Sequence, residues 1–408
     1  MTQFEQSTSM PDAQPRRWRT PVAALVLVAL GSCFAVWYLL PTPSIAQARR
    51  HVDSGDGKAA RLELQKILAA RPQNAEALMM LGDLLRTDGN RPEAASCYLR
   101  VQPEASEFRQ AGVNLAETLL EMSDLAGSEL QMARHLESFP GERLIWDELR
   151  WMCFNQFRTR DVDELSHWWL KGHPDDSQAL IHLLLGVFRP QVPQEGADYL
   201  RQIDEQVPGQ VSVMRALAWA AWQSGRIDES KRLMNDAWQL SADDPRTRLL
   251  SAEILIEEQD YEAAARTLGE SPISIDGEVF GGQVDRWHWL RSRILQQQDE
   301  MAEALSQLER AIELRSNNLE YIHARALLLR QQGRDAEANE AFERARAIEL
   351  CKKRFAEIAF SGAWQRPSPE LCVEIADLYR QSGDPLVATF WRTWGDSMRF
   401  GRQTNPLP

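Results

Sequence analysis

The side chains that most often carry out chemistry are present in this sequence but scattered. His167 and His173 are the closest two histidines, and residues six positions apart on a helix do not share a face. The carboxylates of Glu257 and Glu258 are adjacent, so on a helix they point apart. The glycine-rich, histidine-glutamate and serine-elbow motifs of nucleotide-binding and hydrolytic enzymes are missing. We therefore predict that the protein is not an enzyme and has no catalytic residues and no cofactor.

Cysteine spacing and net charge narrow the possible ligands further. None of the five cysteines forms a C-x-x-C pair, and Cys33 lies in an apolar run, so we expect no metal site. The 408 residues carry a formal net charge of −13 and few lysines, with no basic stripe. Nucleic-acid binding needs clustered cations to neutralise phosphates, which argues against a nucleic-acid partner. No small-molecule substrate is evident either.

The most informative pattern is a spacing of 34 residues. Pro140, Pro174 and Pro208 are separated by this interval, and so are Ala60 and Ala94. A chain of this length is too long for one ordinary core unless it is built from repeats. Several independent landmarks on one period therefore predict a repeat array.

One repeat can be followed from residue 74 to residue 105. Its characteristic positions are held by Leu78, Leu81, Gly82, Leu85, Ala94, Tyr98 and Val101. This pattern resembles the tetratricopeptide repeat, a pair of antiparallel amphipathic helices, A and B. Small residues at the eighth and twentieth positions let the two helices approach closely, and a bulky residue there would overpack the contact.

The resemblance implies an all-α fold, a right-handed superhelical solenoid of stacked helix-turn-helix repeats, and the apolar stretch before the repeats adds one transmembrane helix to this prediction. Each unit is expected to bury its face on its neighbours only. In the resembled family the groove lined by the A helices binds other proteins, often extended peptides or helices.

Counting in this register divides the chain into segments. They are a short basic segment (1–20), a transmembrane helix (21–40), about nine repeats (41–352) with a loop insertion (269–283), a spacer (353–368), a final repeat (369–402) and a tail (403–408). Glycine, proline and the loss of helical periodicity mark the loop insertion.

The predicted membrane helix lies between Pro21 and Leu40, a stretch without a charged residue. Twenty helical residues span about 30 Å, the thickness of a bilayer core. Arginines at positions 16, 17 and 19 precede it closely, which places the N-terminus in the cytoplasm and the repeats outside it, at an inner or plasma membrane. The alternative is a signal peptide cleaved near Ala46, which would give a secreted protein.

A candidate partner-binding groove follows from the positions that line the concave face in the resembled fold, namely 2, 5, 9, 12 and 13 of each unit. In the fourth to sixth units these positions become aromatic and aliphatic, which is typical of interaction sites. The apolar candidates are Trp151, Phe154, Ile181, Leu185, Phe188, Trp219 and Trp222, and the charged candidates that would orient a partner are Asp147, Arg189 and Arg215. The alternative is that neighbouring A helices pack on one another and bury much of this stripe.

These patterns together predict a non-enzymatic, membrane-anchored scaffold that binds an extended or amphipathic segment of a partner protein. The alternative function is a regulatory or accessory subunit of an envelope enzyme, or of a secretion or polymer-synthesis complex. Replacing Trp219 and Trp222 by alanine tests whether the stripe is packed or open: packed rings should cost stability, and open rings should cost partner binding instead.

Overall fold

A computed structural model describes residues 43–186, 194–272 and 283–399 of the chain. Within these ranges the regular elements are twenty α-helices and one short 3-10 helix, and none is a strand. The contacts divide the chain into two compact units, one through Leu81 and one from Gly82 onward. The predicted all-α repeat fold is confirmed for these residues.

The helices alternate between A and B members of successive repeats. The A helices are α1 (Ile45–Asp53), α3 (Ala75–Thr87), α5 (Phe108–Glu121), α7 (Arg143–Asn155), α9 (Ser177–Gly186), α11 (Val211–Gln223), α13 (Pro245–Glu257), α15 (Val284–Gln297), α17 (Leu319–Gln331) and α19 (Pro369–Ser382). The B helices are α2 (Gly57–Ala70), α4 (Arg91–Leu99), α6 (Leu125–Ser138), α8 (Thr159–Gly172), α10 (Gln194–Gln206), α12 (Ile227–Leu240), α14 (Tyr261–Leu268), α16 (Met301–Leu314), α18 (Asp335–Ser361) and α20 (Pro385–Arg399).

The glycine at the eighth position of a repeat has the steric role that the sequence predicts. A Cβ atom on Gly82 would lie 2.6 Å from Cε1 of Tyr98, whose ring is buried against α3. Real Cβ atoms do not approach carbon so closely, so α3 and α4 can pack at this distance only because the position is glycine.

Helix α18 differs from the prediction because it continues through the boundary at residue 352 and through most of the spacer (353–368). It contains neither glycine nor proline and ends at Gly362, whose φ of 69° is left-handed. Phe355 and Ile358 on the extension are buried, so the added turns gain apolar contacts. A 3-10 helix, Ala363–Gln365, follows.

In the unit from Gly82 onward, some contacts join helices that are far apart in the sequence. One apolar core combines residues between Ala116 and Ala220 with residues between Cys351 and Trp394. Helix α9 packs against α18 and α20 as well as α8, and α10 packs against α7 and α11. Within this unit, the later repeats therefore fold back onto earlier ones, which the expectation of purely nearest-neighbour packing does not include.

The predicted membrane helix (21–40), the basic segment before it and the tail (403–408) lie outside the described residues, as does most of the loop insertion. Among the helices that are described, none is both long and apolar enough to cross a bilayer. Ala46, the alternative cleavage site, lies in the first turn of α1, which Ser44 caps through a hydrogen bond from the Gln47 amide.

Candidate functional site

The predicted groove residues on α7 lie at the edge of the core. Trp151 is 42% exposed, and the edge of its ring contacts Tyr199 of α10 with 5.2 Å between ring centroids. Phe154 is half-buried against the core. Asp147 accepts a hydrogen bond from Arg143 Nε at 2.7 Å, so its charge is engaged within the chain.

The predicted residues on α9 turn toward the core. Ile181 is 5% exposed, and Leu185 packs half-buried against the same core. The register had assigned both to an open groove, but α9 packs against α18 and α20 of the final repeats. Phe188 and Arg189 lie outside the described residues.

The predicted residues on α11 are covered to different extents. Trp219 is half-buried and stacks on Phe157 with 5.5 Å between ring centroids. Trp222 is half-buried against a small cluster that contains Met234. Arg215 is only 8% exposed and its guanidinium lies 2.6 Å from the carboxylate of Asp244.

The structure thus does not bring these residues together as one open stripe. Ile181 and Arg215 are buried among the chain's own residues. Trp219 of α11 stacks on Phe157, which lies in the turn before α8. For the described residues of α9 and α11, packing within the chain accounts for most of the apolar pattern. Whether any of these residues binds a partner stays a prediction.

Helix α8 makes side-chain contacts with the later repeats. The turn that precedes it, its first turn and His167 contact residues of several repeats further along the chain. The contacts join Phe157 to Trp219, Arg160 to Asp285, Asp161 to Arg246 and Gln283, Asp163 to Arg315, and His167 to Asp384. We call this set of contacts the α8 ladder. It uses Arg246 and Asp285, which stand at concave position 2 of the seventh and eighth units, so α8 engages one concave position in each of these units.

The centre of the α8 ladder is a buried ionic cluster. The Asp161 side chain is 1% exposed and lies 3.3 Å from Arg246, and it also pairs with Arg158. Burial by itself raises the pKa of Asp161, but the guanidinium groups of Arg158 and Arg246 outweigh burial and bring the pKa to about 2. Glu129 of α6 pairs with the same two arginines. The cluster is therefore ionised and internally compensated.

The earlier repeats present a different A-helix face. Asp83 of α3 accepts hydrogen bonds from Tyr98 Oη at 2.7 Å and from Asn114 Nδ2 at 3.0 Å. Arg86 pairs with Glu117 and Glu121 of α5 at 2.8 and 2.6 Å. Both glutamates are exposed, so these bonds tie α3 to α5 without covering the face.

Helix α7 continues this face with two exposed apolar side chains. Leu144 is 78% exposed and Trp151 is 42% exposed. Between them lies Glu148, which shares their stripe because it is four residues after one and three before the other. We call Leu144, Glu148, Trp151 and Glu117 the α7 face.

Glu148 is unusual on this face because it has no hydrogen-bonding or ionic partner among the described residues. Burial raises its pKa, and the neighbouring carboxylates of Glu117 and Asp147 raise it further. Sequence reasoning misses Glu148 because it considers only positions 2, 5, 9, 12 and 13 of each repeat, and this residue stands at position 6 of its repeat. Its helical spacing from Leu144 and Trp151 is the signal that could have found it. Across the described ranges, no cluster of histidine, cysteine or acidic residues could hold a metal ion.

Comparison with known proteins identifies the repeats. Family models of the tetratricopeptide repeat match residues 45–109 and residues 222–276. A search of curated proteins gives no match.

Similar solved structures include MamA from Desulfovibrio magneticus, with 13% identity, coverage of 43% of this chain and 96% of that chain, and a TM-score of 0.31. A tetratricopeptide repeat protein from Parabacteroides merdae has 17% identity, covers 70% of this chain and 97% of its own, and has a TM-score of 0.29. The Cut9-Hcn1 hetero-tetramer of APC/C has 11% identity, coverage of 85% and 82%, and a TM-score of 0.38. These likenesses are too distant to carry information about a partner. On the family matches and the helix order, the described part of the chain is an all-helical, solenoid-type array that contains tetratricopeptide repeats.

Proposed function

We propose that the chain is a non-enzymatic tetratricopeptide scaffold that binds a protein partner on the α7 face. The observation that carries the proposal is the contrast in exposure between the two A-helix faces. In the seventh and eighth repeats the concave residues Arg246 and Asp285 pair with α8, whereas on α7 Leu144 is 78% exposed and Trp151 is 42% exposed.

The chemistry of the α7 face supports protein binding. Exposed apolar side chains along one stripe of a repeat's A helix are typical of interaction sites. Tryptophan is enriched among the residues that dominate binding energy. The bonds of Arg86 to Glu117 and Glu121 hold α3 and α5 in register beside α7. A partner would thus meet a surface that is already ordered, which lowers the entropy lost on binding.

We also propose that residues 21–40 anchor the scaffold in a membrane with the repeats outside the cytoplasm. The support is the uncharged stretch and the arginines that precede it. An anchor would raise the effective concentration of the α7 face for other proteins of the same membrane. The alternative of an accessory subunit of an envelope enzyme would use the same face.

Site-directed photocrosslinking tests the partner site. A photoreactive residue at position 151 of the full chain in its native membrane should give one discrete adduct, identified by mass spectrometry. The same residue at position 360 is the control, because Phe360 is an exposed aromatic on a different helix, α18. The same adducts from both positions, or no adduct from position 151, would contradict the proposal.

Protease accessibility tests the anchor independently. Protease added outside intact cells or spheroplasts should digest the repeats. Digestion only after the membrane has been opened would contradict the proposed topology without affecting the partner site.

A further inference from the structure

We propose that the partner segment is basic and amphipathic, with a lysine or arginine between Glu148 and Glu117 and an apolar side chain on Leu144 and Trp151. This inference rests on the proposed function and specifies the chemistry of the partner. It is carried by the charges and exposure of the α7 face.

The apolar part of the face has defined dimensions. Leu144 and Trp151 are seven residues apart on one helix, which places them about 10 Å apart along its axis. Tyr199 of α10 contacts the ring of Trp151 and covers one side of it, while Leu144 is 78% exposed. This arrangement fits one or two apolar side chains of a partner rather than a broad apolar surface.

One carboxylate in the charged part of the face, Glu148, lacks a cation among the described residues. Arg86 is already bonded to Glu117 and Glu121, and Arg143 is already bonded to Asp147. Glu148 has no ionic partner in the described part of the chain, and Glu117 lies near enough to raise its pKa further than burial does alone. A carboxylate without a cation attracts a positive group, and the negative charge of Glu117 nearby adds to that attraction. Charge-assisted bonds of this kind are among the strongest hydrogen bonds.

The other partner chemistries fit this face less well. An acidic segment would add a third negative group beside Glu148 and Glu117. A purely apolar segment would bury Glu148 against Trp151 without a counter-charge, which is costly because a desolvated carboxylate needs a partner. A segment with both a cation and an apolar side chain satisfies the carboxylates and covers Leu144 in one step.

Synthetic peptides test the proposal on the purified full chain in detergent. The probes are three fluorescein-labelled 16-residue peptides with the same leucines and one tryptophan, whose polar positions are all lysine, all glutamate or all glutamine. Fluorescence anisotropy should show the lysine peptide binding at least tenfold more tightly than the other two. Equal affinity for the glutamate or glutamine peptide would overturn the proposal.

Matched variants locate the binding. The double variant E117Q/E148Q keeps the side-chain shapes, and it should weaken the lysine peptide about tenfold, as should W151A. The control E262Q removes a carboxylate from an exposed position on α14, and it should change the affinity less than twofold. Unchanged binding of the lysine peptide to E117Q/E148Q would overturn the inference, because the attraction would then come from the net charge alone.

The crosslinking experiment separates this inference from the proposed function. If the adduct at position 151 forms equally in the E117Q/E148Q background, the scaffold proposal stands and the basic partner is wrong. If the adduct is lost in that background while melting is unchanged, both are supported.

Discussion

The A-helix faces of the earlier and later repeats share one register but differ in what covers them. In the later repeats, Arg246 and Asp285 bond to α8, and the apolar Trp219 stacks on the turn that precedes it. On α7, Leu144 and Trp151 remain exposed. The difference shows that side chains at the concave positions of a repeat can pack against other parts of the same chain. A position in the register therefore does not by itself define a binding surface.

The physical reason lies in charge complementarity along α8. The first turn of the helix presents an arginine and two aspartates, and each pairs with an opposite charge in the seventh or eighth repeat. The desolvation of these groups is offset only while the whole cluster is assembled. The α8 ladder should therefore be sensitive to single substitutions, whereas the ion pairs of the earlier repeats should not.

The largest expected effect comes from removing the centre of the α8 ladder. Asp161→Ala leaves Arg158 and Arg246 buried without this counter-charge, so we expect the free energy of unfolding to fall by about 4 kcal/mol. Chemical denaturation measures it. The control is Glu117→Ala, which removes an exposed pair with Arg86 and should cost about 1 kcal/mol or less. Similar losses from both would show that the two faces are not distinct.

The tryptophans give the next effect. Trp219→Ala removes a half-buried ring stacked on Phe157 and should lower the free energy of unfolding by about 3 kcal/mol. Trp151→Ala should lower the free energy of unfolding by about 1 kcal/mol or less, since its ring is 42% exposed. It should also abolish binding of the protein that the crosslinking identifies. Thermal or chemical unfolding checks both. A larger loss of stability from Trp151→Ala would contradict the assignment of the open face to α7.

Acid should weaken the α8 ladder over a defined pH range. The pKa of Asp161 is about 2 in the folded chain, below its ordinary value of 3.8, so its contribution is present above pH 3.8 and is lost as the pH falls toward 2. A shift of this size corresponds to about 2 kcal/mol. Between pH 5 and pH 2, the free energy of unfolding should fall more steeply with decreasing pH for the native chain than for Asp161→Asn. Parallel curves would contradict this role of Asp161.

The smallest effect concerns the end of the α8 ladder. Burial lowers the pKa of His167, but its hydrogen bond with Asp384 and the charge of that carboxylate raise it more, so the net pKa lies above its ordinary value. The pair therefore stabilises the fold fully below pH 6.5 and less as the pH rises through the raised pKa. His167→Gln and Asp384→Asn should each remove about 1 kcal/mol at pH 6 and almost nothing at pH 9. A loss that is equal at both pH values would show that packing, not charge, joins these residues.

Local features of the fold were accessible from the sequence. The helix starts at Arg143, Ser177, Val211 and Pro245 follow the 34-residue spacing, because turns and small residues at fixed positions determine where a helix pair begins. The spacer was less accessible. Its residues have helical character, but the continuity of α18 to Ser361 depends on the burial of Phe355 and Ile358 by other helices.

The candidate site was only partly accessible. The register identified Trp151 and placed Leu144 on the same helix, but it could not show that Ile181 is covered. Its helix packs against α18 and α20, which lie more than 150 residues further along the chain. Glu148 acquires its significance from Glu117 on the neighbouring helix, a relation that spacing on one helix cannot express.

The sequence by itself determined the helical repeats, their period and the close packing within each pair, since these depend on residues at fixed short separations, as with Gly82 and Tyr98. Only the tertiary structure decided which concave positions stay open. Arg160 and Asp285 are 125 residues apart, and each alone looks like an ordinary exposed charge. Their pairing depends on how the later repeats fold back across α8, and no local pattern specifies that geometry.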